Sequence, residues 1–83
     1  NNSPAPVTIA KHQDRWDVLF NNAERFAHLR VLDMAGKTLR QQSLHGVPQG
    51  HATAIDLAQL PAGVDLIQIQ TSGSNTTRKV MVE

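Results

Sequence analysis

Asp65 is a carboxylate set two residues into an apolar run, Val64-Asp65-Leu66-Ile67-Gln68-Ile69, where an acid–base group or a structural acceptor would each stand out. Burying an unpaired carboxylate costs several kcal/mol. The sequence therefore predicts that Asp65 lies at the rim of the fold, accepting from backbone N–H groups of the turn at residues 61–63 or from an arginine. Other chemistry is sparse. The serines fall in the opening polar stretch, in a strand and in the Ser-Gly-Ser loop, with none of the sequence context that holds a nucleophile beside a base. His45 and His51 flank one loop, but no third ligand follows at metal-site spacing. No catalytic residue, metal site or cofactor is expected, and the chain reads as a non-enzyme. Arg78 and Lys79 form a basic pair near the C-terminal end that would suit an anionic partner.

The elements that carry these residues are strands. Hydrophobic residues recur with period two, and turn signals arrive at the spacing of a small all-β sandwich or barrel. Seven strands are expected, near residues 7–10, 15–20, 27–33, 37–44, 51–57, 64–70 and 76–82. Trp16, Val18, Phe20, Leu29, Val31, Leu57, Ile67, Ile69, Val80 and Val82 should fill the core. Trp16 and Phe20 read as core residues rather than an aromatic sugar platform, because a domain with 4% aromatics needs its large side chains inside. Met34 reads as a gap-filler. Gly36, in "DMAGK", should supply the positive φ of a hairpin, and Gly63 should occupy the next turn.

Composition sets the outer limits. A chain of 83 residues makes one domain with a small core. Hydrophobic residues at 40% and charged residues at 18% are ordinary for a folded domain. A net charge of +1, with Lys and Arg scattered, leaves no basic stripe for nucleic acid. The absence of cysteine excludes disulfides and thiolate zinc sites. No apolar run is long enough to span a membrane as a helix. The polar, proline-bearing residues 1–6 read as the end of a linker in a longer protein, with residues 7–83 as the domain.

Three blocks in order, "LRVLDMAGKTL", "AIDLAQLPAGVDLIQIQ" and "TTRKVMVE", resemble the C-terminal sorting domains of the Bacteroidetes type IX secretion system. Leu32, Asp33, Met34, Gly36 and Lys37 match the hairpin that ends the family's third strand. Leu60, Pro61 and Gly63 match its Leu-Pro-x-Gly turn, and Arg78, Lys79, Val80 and Val82 match its basic final strand. The sequence departs from the family at Asp65, where an aromatic is usual, and lacks the common Tyr-Pro-Asn-Pro opening.

The resemblance implies a seven-stranded antiparallel immunoglobulin-like β-sandwich. By the same resemblance it is a non-catalytic signal that passes its parent protein through the periplasm to the outer-membrane surface or the medium. Its partners would be the type IX translocon or the shuttle and attachment-complex proteins, with anionic lipopolysaccharide as a further candidate. The final strand, Arg78, Lys79, Val80, Met81, Val82 and Glu83, would carry recognition. Asp33, Gly36, Lys37, Leu60, Pro61, Gly63 and Asp65 would carry structure. Two alternatives stay open: a retained docking or glycolipid-binding module of the attachment machinery, and a carbohydrate-binding accessory module of a secreted hydrolase. The last would require an exposed aromatic platform.

Overall fold

A computed structural model describes residues 5–12, 14–56, 58 and 60–82. Its seven strands are β1 (Val7–His12), β2 (Arg15–Phe20), β3 (Glu24–Asp33), β4 (Thr38–Val47), β5 (Ala52–Asp56), β6 (Gly63–Thr71) and β7 (Asn75–Val82). They form two antiparallel sheets, β1-β2-β5 and β4-β3-β6-β7. This is the expected immunoglobulin-like β-sandwich.

The alternation in β2 and β6 explains why the sheets pack. Trp16, Val18 and Phe20 project from one side of β2, and Ile67 and Ile69 from one side of β6; all are buried. They meet Ala27, Leu29 and Val31 of β3 in one hydrophobic core, with Val7, Val47, Ile55 and Val82 at its margins. Each fully buried side chain of this kind contributes about 1.5–3 kcal/mol. At one open flank Gln42 of β4 donates to Thr53 Oγ1 of β5 at 3.0 Å, tying the two sheets together.

Asp33 organises the β3–β4 hairpin. Its Oδ1 accepts from the N–H groups of Ala35 at 2.9 Å and Lys37 at 2.8 Å. Its carbonyl accepts from Gly36 N–H at 3.0 Å, and its own N–H donates to the Lys37 carbonyl at 2.9 Å. Gly36 closes this loop at φ +89°, as the sequence predicts. A Cβ there would touch nothing, so the penalty of a side chain is conformational rather than steric. Gly36→Ala is expected to destabilise the domain by about 1–2 kcal/mol, read as a lower urea midpoint with unchanged slope.

Several expectations need correction. β3 starts at Glu24 rather than Ala27, because the strand continues through the polar residues after the Asn-Asn bend, and β4 runs on to Val47. Gly63 is the first residue of β6, at φ +143°, rather than a residue of the preceding turn. Met34 fills no gap: it is 64% exposed on the hairpin tip. Val80 is half-buried against the core rather than within it, since β7 lies at the edge of its sheet. Leu57 lies outside the described residues. So do residues 1–4 of the expected linker, whose last residues are fastened to the domain: Asn21 donates its backbone N–H to the Pro6 carbonyl and its side-chain amide to the Ala5 carbonyl.

Candidate recognition surface

β7 is an edge strand whose ladder partner is β6, in a register running from Gly63↔Val82 to Gln70↔Asn75. Cross-strand partners share a face, so the register assigns each side chain of the final strand. Val82 points inward and is buried, and Val80 shares the inner side with Asp65. Arg78 pairs with Ile67 and therefore also lies on the inner side, exposed at the open flank between β1 and β7. There it lines a groove with Ile9, Lys11, Trp16, Val80 and Met81. Lys79 pairs with Leu66 and Met81 with Val64, which places both on the outer face, with Met81 57% exposed. Arg78 and Lys79 are thus not one basic patch, because a period of two sends neighbouring residues to opposite faces. Glu83 lies outside the described residues.

The free side of β7 is partly covered. Lys11 reaches from β1 and donates its ammonium to the Met81 carbonyl at 3.2 Å. A lysine at a strand edge obstructs pairing with a further strand at that end of β7. Expecting β1 to end at Ala10 hid this contact, since Lys11 belongs to the strand.

The structural motif residues collect at the start of β6, beside the end of β7, where Gly63 pairs with Val82 and Asp65 with both Val80 and Asp33. Leu60 packs half-buried against the core, and Pro61 is exposed. The connection from β5 is fastened by Arg40 of β4, which donates to the Ala58 carbonyl at 2.6 Å, and by Asp56, whose Oδ1 accepts from Ala58 N–H at 2.8 Å. Lys37 enters through its backbone contacts with Asp33; its side chain is exposed.

Asp65 overturns the expectation of a satisfied rim acceptor. It is only 5% exposed, and its Oδ2 is buried with no hydrogen-bond partner among the described residues. Its cross-strand neighbour on β3 is Asp33, another carboxylate, and on β7 it is Val80. Burial pushes the Asp65 carboxyl above its ordinary value, and the charge of Asp33 raises it further. Folding thus favours the protonated form relative to the unfolded chain, which binds fewer protons in the interval between the two values. The Asp65 contribution is therefore fully favourable below the ordinary value of 3.8 and is lost as pH rises through the raised folded value. Asp65→Asn should raise the thermal midpoint at pH 7, and this gain should shrink on acidification toward pH ~4. A gain that stays constant between these pH values would show that Asp65 is not carried as an acid.

The histidines do not converge. His51 stacks on Phe20 with ring centroids 6.3 Å apart, His28 contacts Ser43 Oγ at 3.0 Å, and His12 meets Asp17 at 2.9 Å. Among the described residues no three His, Asp or Glu side chains are placed to hold a metal ion. Trp16, which would have to be exposed for a sugar platform on β2, is 1% exposed, and Phe20 is buried with it.

The sequence matches the family described as the secretion system C-terminal sorting domain over residues 7–83. No curated protein matches it. Among solved structures, a DUF3244 family protein from Bacteroides vulgatus with an immunoglobulin-like β-sandwich fold superposes with a TM-score of 0.83 at 21% identity. The match covers 94% of this chain and 85% of that one, a likeness of fold.

Proposed function

Because the chain belongs to the secretion system C-terminal sorting domain family, we propose that it directs its parent protein through the type IX machinery by presenting the side chains of β7. The reading rests on the division of labour along that strand. Val82 and Val80 anchor it in the sandwich, whereas Arg78, Lys79 and Met81 are exposed. Anchoring and display by alternate residues make the strand a rigid presenter, which spares a partner the cost of ordering it. The partner is a protein of the translocon or of the shuttle and attachment apparatus, met from the periplasmic side, with residues 1–6 serving as the end of the linker to the cargo. The surface contacted combines the Lys79 and Met81 front with the Arg78 flank. No catalytic step is assigned to the domain. A sorting-signal family and a β-sandwich whose histidines are dispersed both support a binding role.

The test is an Arg78→Ala/Lys79→Ala double variant fused to a reporter cargo in a bacterium with a working type IX system. Both side chains are exposed, so the thermal midpoint should move little, within about 0.5 kcal/mol per site. The cargo is expected to accumulate in the periplasm. Since the two residues face opposite ways, the single variants then report which front the partner uses. A folded double variant whose cargo reaches the surface at the normal rate would remove the basic residues from the recognition site.

A further inference from the structure

The outer face of the four-stranded sheet carries a set of side chains that neither folding nor the β7 reading uses. The register aligns them in rows across the strands. One row is Gln41, Arg30, Gln68 and Thr77; the next is Ser43, His28, Gln70 and Asn75; Phe26 and His45 stand beyond it. Within a row, directly opposite residues stand ~5 Å apart. The alternate positions Leu29, Val31, Ile67 and Ile69 are buried, which fixes these residues on the solvent side. Not one residue of the three rows is a carboxylate. Within them only the His28–Ser43 contact joins two side chains by a hydrogen bond, and Phe26 lies tilted on His28 with centroids 5.3 Å apart. Among the described residues, the side chains of Arg30, Gln41, Gln68 and Gln70 make no hydrogen bond.

We propose that this face binds an acidic polysaccharide. Each neighbouring amide offers two donors and an acceptor with two lone pairs, so Gln41, Gln68 and Gln70 can both give to and accept from vicinal hydroxyls. Arg30, at the centre of its row and half-buried, supplies a planar fork for a carboxylate, and no acidic side chain in the rows competes for it. Phe26 offers an aromatic surface for the C–H face of a sugar ring. A neutral glycan would leave the guanidinium without a counter-charge, and an acidic peptide would match that charge but bring no vicinal hydroxyls to the amide rows. With a net charge of only +1 the domain has little long-range attraction for polyanions in general, so binding must come from these contacts. The site is centred on β3 and β6 and meets the β7 surface only along its margin, at Asn75, Thr77 and the adjoining Lys79, so it goes beyond the sorting role and can fail independently of it.

Affinity electrophoresis of the 83-residue domain in native gels containing polygalacturonate, dextran or poly-L-glutamate tests the proposal. Retardation is expected with polygalacturonate, and little with the neutral glucan or the acidic polypeptide. Arg30→Gln should weaken the effect about tenfold, as for the loss of one charge-assisted contact of ~1.4 kcal/mol, and Gln68→Ala should weaken it as well. Arg15→Ala, exposed on the three-stranded sheet, should not. The unchanged emission of Trp16 confirms that each variant is folded. Equal retardation by poly-L-glutamate, equal retardation by dextran, absence of retardation by polygalacturonate, or folded Arg30→Gln and Gln68→Ala variants that behave as the parent would each overturn it.

Discussion

Deleting residues 77–83 is expected to abolish cooperative unfolding of the domain, not merely to lower its midpoint. The deletion removes all of β7 beyond its first two residues and strips Val82 and Val80 from the interior. It also uncovers the β6 edge from Gly63 to Gln68, buried Ile67 included. A fully buried valine contributes about 1.5–3 kcal/mol, and whole domains are stable by only about 5–15 kcal/mol. Losing one buried valine, one half-buried valine and a ladder of strand pairing together exceeds what a small core can absorb. Circular dichroism should show no sharp thermal transition, and Trp16 emission should shift toward that of exposed indole. A truncated domain that still melts cooperatively near the original midpoint would show that β7 is an appendage rather than part of the core. Export lost on such a truncation therefore does not locate the signal, whereas Arg78→Ala and Lys79→Ala in a folded domain do.

The same strand shows how far the sequence is legible. In β2 and β6 the alternation is strict and each element lies between two others, so period two alone places Trp16, Val18, Phe20, Ile67 and Ile69 inside. The β7 pattern is equally clear, yet Val80 ends half-buried. What covers an edge strand comes from the facing sheet, here Ile9 and Trp16, and that is not written in the strand itself. The Gly36 turn of the hairpin is legible because its chemistry is local, a glycine at positive φ, whereas the Asp33 carboxylate accepting from N–H groups two and four residues on emerges only in the structure. Asp65 was conspicuous for the opposite reason, as a carboxylate among aliphatics. Its surroundings depend on a cross-strand register that brings Asp33 beside it, and a single strand carries no record of its partner. The outer rows of β3 and β6 had a visible component in the Ile-Gln-Ile-Gln alternation, but the convergence of Arg30 with Gln41 and Gln68 required the order of strands.

Trp16→Ala should be the most damaging single substitution in the chain and should separate a core role from a sugar-binding one. The indole is 1% exposed in β2, paired across the sheet with Lys11 on one side and Ile55 on the other. Truncation leaves a cavity beneath the groove between β1 and β7, where Ile9 and Val80 pack. Removing a large buried aromatic side chain costs about 3–5 kcal/mol, because the surrounding side chains collapse only partly into the space. Against a total of about 5–15 kcal/mol this leaves a domain that is marginal at best. The urea midpoint should fall by a large fraction of its value, measured by circular dichroism because the variant lacks the chain's single tryptophan. Trp16→Phe retains much of the apolar volume and should fold, at a smaller cost. Its value is in what it leaves alone: retardation by polygalacturonate should match the parent, because the indole lies in the three-stranded sheet and the proposed saccharide face belongs to the other one. If the folded Trp16→Phe variant instead lost saccharide binding while keeping its stability, the indole would be part of a ligand platform and the outer face of β3 and β6 would not be the site.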